Sequence, residues 1–493
     1  MNDNQLTRNE FEFNSDPSKP LNRKTLLGYG VGNLGYGMVL QAMTIYLVFF
    51  GTTLLKIPGS VLGIIISMSV IWDAISDPIM GSISDYTRSK RFGRRHLYIL
   101  IGSVGVAFFN AILWTLNENW SLNTKIILVV IIVIGVKTFS TVFVTPYLAL
   151  SGELSEDYYE RTTIQSIRTI FLVLGMAFTV VVGMTYFLRP TVEFPMGQLN
   201  RSGYMYLGFS ISIIMIISGL ITYFSTKKYI PLLQSKIHKD HQGEKPKVIP
   251  QLKVDFKELS SNRNYFYVCL AYLSANTASA IIGSVGLHVF TFTFRLDSLT
   301  IGIVFGSLFI FMILSQPFWI KYSRKEDKRN AAIVATIIGI VACIVFLMAV
   351  VFKNFVVANP YMLLPFSALA GFSVGGLLTL PLSMVGDTID IEEAHTGRRS
   401  EGLYYGGITF SYKASQAIAI FIVGVLLDMS GFDPDLTLQM PSTEIILGLI
   451  LSIGSLLAFT LTLYAYYRYN LSHNDIVEIR KKSKEKQNDK KSE

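Results

Sequence analysis

Long apolar runs alternate with short polar turns along most of this chain. About twelve runs approach the ~20 residues that an α-helix needs to cross about 30 Å of hydrocarbon. In the first run, Gly28 and Gly32 have the G-x-x-x-G spacing that lets neighbouring helices approach closely. The pattern predicts an all-α polytopic membrane protein with spans at 27–53, 60–84, 96–115, 125–150, 163–187, 205–225, 265–293, 299–320, 330–352, 358–386, 402–430 and 443–468.

A polar, lysine-containing stretch at 226–264 divides these runs into two sets. It predicts a cytoplasmic linker between an N-terminal six-helix bundle at 25–225 and a C-terminal six-helix bundle at 265–468. The second run of each set ends in a basic turn, at 88–95 and at 321–329, as a tandem repeat would produce. We expect a cytoplasmic N-terminal arm at 1–24 and a cytoplasmic tail at 469–493, because both are polar and contain basic residues.

The composition separates this chain from soluble and nucleic-acid-binding proteins. Hydrophobic residues make up 51% of the chain and charged residues 16%, and the net charge of +9 comes from basic residues in loops and tails. That distribution follows the positive-inside rule and argues against a nucleic-acid partner. Cys269 and Cys343 lie in separate apolar runs, so they indicate packing rather than a disulfide or a structural metal site.

Two other functional classes compete with transport. A polytopic membrane enzyme would need convergent catalytic groups, but the six histidines are scattered, with neither metal-ligand spacing nor a nucleophile–base motif. A non-transporting receptor would more often carry a large soluble output domain. We therefore predict that the chain is not an enzyme and needs no cofactor.

Acidic residues inside the second apolar run are the strongest functional signal. Asp73 and Asp77 are four residues apart, so they share one face of the predicted helix. Each ionised side chain at the bilayer centre costs about 2.5 to 3.5 kcal/mol on insertion scales, so a cation, a proton or a basic partner must compensate. Lys137 and Lys413 are also deep in apolar runs. A purely structural ion pair and a role in moving an ion or a substrate are both open at this point.

Three segments with charged residues resemble motifs of one transporter family. WDAISDP at 72–78, TRSKRFGRR at 87–95 and VGDTIDIEE at 385–393 are similar to those of the glycoside-pentoside-hexuronide:cation symporters of the major facilitator superfamily. The resemblance covers about 28–467. It implies the major facilitator fold, with two bundles that rock about a midplane site. It also implies symport through the cell membrane, in which a small organic solute moves together with Na⁺ or H⁺. The expected solute is a glycoside, a pentoside or a hexuronide, and we expect a monomer.

The resemblance also implies roles for individual residues. The coupling-cation site would comprise Asp73, Ser76, Asp77 and Thr141, with Ser76 standing where a sugar-transporting member has asparagine. Arg168 and Lys413 would line the substrate cavity and link it to the cation site. A smaller, acidic or differently placed sugar could use these two residues together with Asn276, Tyr404 and Tyr405. The cytoplasmic gate would comprise Asp387, Asp390, Glu393 and Arg399, together with Arg88 and Arg94 of the basic turn.

The substrate cavity departs from the family pattern at four positions. Gly37, Val144, Leu148 and Leu378 stand where a sugar-transporting member has two aspartates and two tryptophans. Carboxylates that accept hydroxyl hydrogen bonds and aromatic faces for a sugar ring are therefore missing. These replacements suit a smaller or acidic sugar, or an amphiphile such as the lysophospholipids that similar vertebrate carriers transport with sodium. Both substrate classes stay open.

Lys137 is a further departure, because a sugar-transporting member has glycine there. It lies one helical turn from Thr141, so its ammonium is within reach of the Asp73 and Asp77 carboxylates. Our hypothesis is that Lys137 acts as a tethered cation that weakens sodium binding and leaves proton coupling or uniport. In the alternative, Lys137 faces a water column without touching the acidic pair.

Overall fold

The computed structural model describes residues 21–87, 89, 92–155, 158–231, 262–396 and 401–471. Most of the predicted N-terminal arm, linker and tail, and the predicted gate residues Arg88 and Arg399, lie outside these ranges. Within them, eleven helices are long and apolar enough to cross a membrane, and a bent helix pair makes a twelfth span. The predicted number of about twelve spans is confirmed.

The six helices of the first half follow the predicted runs to within a few residues at most ends. The second half repeats that arrangement, and its second span bends by 41° between two helical pieces. The helices are α1 (Arg23–Leu54), α2 (Gly59–Tyr86), α3 (His96–Leu113), α4 (Leu122–Leu154), α5 (Tyr158–Val182, continued by a π-helical turn Gly183–Phe187), α6 (Arg201–Thr226), α7 (Arg263–Thr293), α8 (Ser298–Leu314 with Gln316–Glu326), α9 (Lys328–Val351), α10 (Leu364–Thr396), α11 (Glu401–Met429) and α12 (Pro441–Arg468).

The described helices form two compact units. Unit 1 holds α1, α3 to α6 and most of α2, whereas unit 2 holds α7 to α12 together with Pro58–Gly63, which comprises the residue before α2 and its first turn. In unit 1, α1 packs against α5 and α6, and α3 packs against α4 and α6. A Cβ at Gly28 would lie 2.0 Å from Ser225 Oγ, and one at Gly32 would lie 2.5 Å from Thr222 Oγ1. The predicted close packing at these glycines is thus confirmed.

In unit 2, α7 packs against α11 and α12, and α9 packs against α10 and α12. Trp319, Tyr404 and Tyr466 are among the large side chains of the hydrophobic core at these contacts. Cys343 is buried and Cys269 is partly buried, and both are free thiols in packed positions. The two cysteines therefore have the packing environment that their apolar runs predict.

The first helices of the two units end in the same local backbone structure. A π-helical turn, Phe50–Leu54 in α1 and Val289–Thr293 in α7, closes each helix. A residue with left-handed backbone follows shortly after: Lys56 with φ 56° and Arg295 with φ 55°. In both units the next N–H donates to a carbonyl six residues earlier, at 2.9 Å. This shared geometry supports the tandem repeat that the basic turns predict.

Candidate functional site

Polar side chains of α2 and α4 meet within unit 1. Lys137 Nζ donates to Asp73 Oδ2 at 2.9 Å, and Thr141 Oγ1 donates to Asp77 Oδ1 at 2.7 Å. Ser76 Oγ donates to Thr141 Oγ1 at 3.3 Å. We call the connected set the polar seam, and it comprises Trp72, Asp73, Ser76 and Asp77 of α2 with Lys137, Thr138 and Thr141 of α4.

The polar seam follows from helical spacing on two parallel helices. Asp73 and Asp77 are one turn apart on α2, and their partners Lys137 and Thr141 are one turn apart on α4. Residue numbers rise together along both helices, so the two helices run in the same direction where they meet. Trp72 Nε1 donates to Thr138 Oγ1 at 2.8 Å. The sequence did not predict a role for Trp72, because a tryptophan in an apolar run usually indicates packing.

Burial makes the Lys137–Asp73 ion pair energetically important. Asp73 is 5% exposed, and the Lys137 side chain is 25% exposed. Removing one partner of a buried ion pair typically costs about 3 to 5 kcal/mol, because the other charge stays buried without compensation. Of the two placements that the sequence left open for Lys137, the structure has the one in contact with the acidic pair.

Proline residues lie next to the polar seam on both helices. Pro78 follows Asp77 within α2, and Pro146 follows Thr141 by five residues within α4. Proline has no N–H, so the carbonyl four residues earlier loses its helical donor. That carbonyl belongs to Ala74 in α2, between the two aspartates. Proline at this position therefore removes one helical hydrogen bond between the two aspartates.

Arg168 lies on α5 of unit 1 and is half-buried. Its Nε is buried without a hydrogen-bond partner, and within the described ranges the side chain makes no salt bridge. Its backbone carbonyl accepts from Asn33 Nδ2 at 3.1 Å. Tyr29 and Tyr147 stack at 4.5 Å beside it, and each donates its hydroxyl to the backbone carbonyl of the other. Arg168 thus offers hydrogen-bond donors and a positive charge to an anionic group.

The apolar replacements in unit 1 differ in their environments. Gly37 is buried, and a Cβ there would lie 2.4 Å from the Leu172 carbonyl oxygen, so α1 and α5 touch at this glycine. Val144 is half-buried, whereas Leu148 is 39% exposed on α4. The structure therefore places Gly37 at a helix contact and leaves Leu148 on an open face.

The predicted substrate residues of unit 2 also differ in accessibility. Lys413 and Leu378 are half-buried, and Tyr405 is exposed. Tyr404 is fully buried in the core, where its hydroxyl accepts from Asn262 Nδ2 at 3.2 Å. Asn276 is buried and donates to a carbonyl of its own helix at 2.8 Å. Lys413, Leu378 and Tyr405 are therefore more accessible than Tyr404 and Asn276.

Charged clusters lie at the basic-turn end of each unit. In unit 1, Glu153 at the end of α4 accepts from Arg94 Nη2 and from Arg95 Nε, both at 2.8 Å. Arg95 also contacts Asp85 and Ser84 at the end of α2. The sequence predicted Arg94 but missed Arg95 and Glu153, although a basic turn with an acidic helix end nearby was a usable signal.

The corresponding cluster of unit 2 centres on Asp387 of α10. Lys328 Nζ, at the start of α9, lies 2.6 Å from Asp387 Oδ2. Burial, together with the nearby carboxylates of Asp387 and Asp327, raises the pKa of Tyr469, so this phenol stays neutral. Of the other predicted gate residues on α10, Asp390 and Glu393 are half-buried. The sequence had placed Lys328 in a basic turn without predicting its pairing.

Comparisons with known proteins agree with this architecture. The sequence profile of the MFS/sugar transport protein family matches residues 28–473. A glucuronide carrier protein homolog of Escherichia coli is 20% identical over 89% of this chain and 90% of its own length. A sodium-dependent lysophosphatidylcholine symporter of Danio rerio is 22% identical over 94% of this chain and 90% of its own.

The fold is similar to that of a solved transporter. A bacterial homolog of the human lysosomal transporter Spinster, in an inward-facing and unoccupied conformation, superposes with a TM-score of 0.67 at 11% identity. The similarity covers 92% of this chain and 97% of that protein. Together, these matches confirm the predicted major facilitator fold and the prediction of a membrane transporter rather than an enzyme.

Proposed function

The chain belongs to the MFS/sugar transport protein family, and on that premise we propose that it couples the uptake of a small organic solute to a cation, Na⁺ or H⁺, by alternating access. The polar seam carries the proposal. It holds two carboxylates, an ammonium and three hydroxyls within membrane-spanning helices, where charged groups are costly. Such groups are typically retained because they move ions or substrates.

Asp73 and Asp77 are the proposed coupling residues, supported by Ser76 and Thr141. Coupling requires that the cation binds one conformation better than another, so that its binding energy shifts the conformational equilibrium. A buried carboxylate supplies such a difference. Its charge must be compensated in a conformation that keeps it out of water, whereas water itself solvates the charge in a conformation that exposes it. By the resemblance, Asp387, Asp390, Glu393 and Arg94 stay proposed as members of the cytoplasmic gate.

An acidic sugar, such as a hexuronide, is the proposed solute. Arg168 supports this choice, because its guanidinium makes no salt bridge within the described ranges and can receive a carboxylate. By the resemblance, Lys413 and Tyr405 of unit 2 stay proposed as residues of the substrate cavity. The name of the glucuronide carrier homolog agrees with an anionic solute.

A lysophospholipid is the second candidate solute. Val144 and Leu148 favour it, because apolar side chains stand where a sugar site would supply hydrogen bonds or aromatic faces. The name of the lysophosphatidylcholine symporter, a relative of this chain, agrees with such a solute. A phosphate group would also pair with Arg168, so an uptake panel must contain both classes.

Uptake by purified protein in proteoliposomes tests the proposal. We expect a hexuronide to accumulate when a Na⁺ or H⁺ gradient is imposed, and a neutral glycoside and lysophosphatidylcholine to accumulate less. Asp73→Asn should abolish concentrative uptake because it removes the coupling charge, with unchanged membrane insertion. Asp435→Asn, the same change at an exposed aspartate between α11 and α12, is the control and should transport like the wild type. Undiminished accumulation by Asp73→Asn would contradict the coupling role.

A further inference from the structure

We propose that Lys137 determines the ion selectivity of this transporter by keeping Na⁺ out of the polar seam. Its ammonium takes the place of an alkali cation beside Asp73, so the wild-type seam does not bind Na⁺. The proposal rests on the proposed coupling role of the seam, and it adds which residue decides the ion.

The ammonium is held where it competes directly with a metal ion. Lys137 Nζ lies 2.9 Å from Asp73 Oδ2, the distance of a charge-assisted hydrogen bond. One turn further along α4, Thr141 donates to Asp77, so Lys137 and Thr141 contact one carboxylate each. A Na⁺ ion that bridged the two carboxylates would lie close to a fixed positive charge and beside Asp73, which is 5% exposed. Repulsion between like charges is weakly screened there.

Without the lysine, the same residues form a suitable donor set for a hard cation. Oxygens of Asp73, Ser76, Asp77 and Thr141 converge along one face of α2 and α4. Small hard cations bind through carboxylate, hydroxyl and carbonyl oxygens. The seam therefore combines oxygen donors for an alkali ion with an ammonium that fills their place.

Thermal unfolding of purified protein tests this without any solute. Wild type, Lys137→Gly and Lys137→Arg are compared in NaCl and in choline chloride at equal ionic strength. We expect no Na⁺-specific shift in the wild type or in Lys137→Arg, which keeps the positive charge. Lys137→Gly should gain a saturable rise in Tm of about 2 °C, because a ligand that binds the folded state stabilises it. Adding Asp73→Asn to Lys137→Gly should remove the rise.

Each result bears on Lys137 separately from transport. An equal rise in Tm with Na⁺ in the wild type and in Lys137→Gly would overturn the proposal. A folded Lys137→Gly variant whose Tm does not respond to Na⁺ would also overturn it. If Lys137→Gly does not fold, Lys137→Ser replaces it, and a Na⁺-specific shift in the wild type alone is sufficient to overturn the proposal. Failure of the proposed function would instead appear as absent solute accumulation in proteoliposomes, whatever the response of Tm to Na⁺.

Discussion

At the scale of single residues, the Thr141 hydroxyl links Ser76 to the Asp77 carboxylate in the polar seam. It donates to Asp77 Oδ1 at 2.7 Å and accepts from Ser76 at 3.3 Å. Thr141→Val keeps the shape of the side chain but removes the donor. A hydrogen bond to a charged group contributes about 1.5 to 3 kcal/mol, so we expect at least a tenfold higher cation concentration for half-maximal uptake.

Thr141→Ser is the matched control, because it keeps the hydroxyl and loses a methyl group. Solute uptake is measured against the concentration of the coupling cation in the same proteoliposomes. Similar cation dependence in the valine and serine variants would show that the hydroxyl does not act on the coupling site.

Residue spacing predicted part of the polar seam. The four-residue interval placed Asp73 and Asp77 on one face, and the turn between Lys137 and Thr141 placed the ammonium within reach of them. Periodicity alone does not reveal which apolar helix lies beside α2, because every run is apolar on most sides. The family resemblance supplied Thr141, whereas the contact between Trp72 and Thr138 depends on that helix pairing and carried no sequence signal.

At the scale of helices, glycine contacts determine how closely α1 approaches α5. A Cβ at Gly37 would lie 2.4 Å from the Leu172 carbonyl oxygen, and backbone cannot move aside as a flexible side chain can. We expect Gly37→Ala to destabilise the protein by about 1 to 3 kcal/mol, the usual range for overpacking. Thermal unfolding in one detergent measures the effect.

Gly152→Ala on α4 is the control for Gly37→Ala. A Cβ at Gly152 would meet nothing within 4 Å, so the substitution should be neutral or stabilising through the higher helix propensity of alanine. If Gly37→Ala instead kept wild-type stability and changed only solute uptake, Gly37 would face the cavity that the resemblance assigns to it.

The bounds of helices were more predictable than their contacts. Bilayer thickness limits the length of an apolar run, so the twelve predicted spans recur in the described helices. The spacing of Gly28 and Gly32 also signalled a packing face. Gly37 gave no such local signal, because the reason for a glycine there is the close approach of the Leu172 carbonyl, which belongs to another helix. The π-helical turns at Phe50–Leu54 and Val289–Thr293 likewise have no recognisable composition.

At the scale of the whole molecule, the distribution of basic residues predicts which side faces the cytoplasm. Basic residues are concentrated in the turns at 88–95 and 321–329 and in the linker at 226–264, and short basic loops stay on the inner side of a membrane. We therefore propose that both termini are cytoplasmic. The loop between α5 and α6, which contains the exposed residue Glu193, is then external.

Labelling of single cysteines in intact cells tests this orientation. In a background with Cys269→Ser and Cys343→Ser, Glu193→Cys should react with a membrane-impermeant maleimide, because its loop is expected to face the medium. Ser89→Cys, in the basic turn after α2, should react only after the membrane is permeabilised, and the cysteine-free background should not react at all. Reversed labelling would place the basic turns outside, against the positive-inside rule, and would exclude Asp387, Asp390 and Glu393 from a cytoplasmic gate.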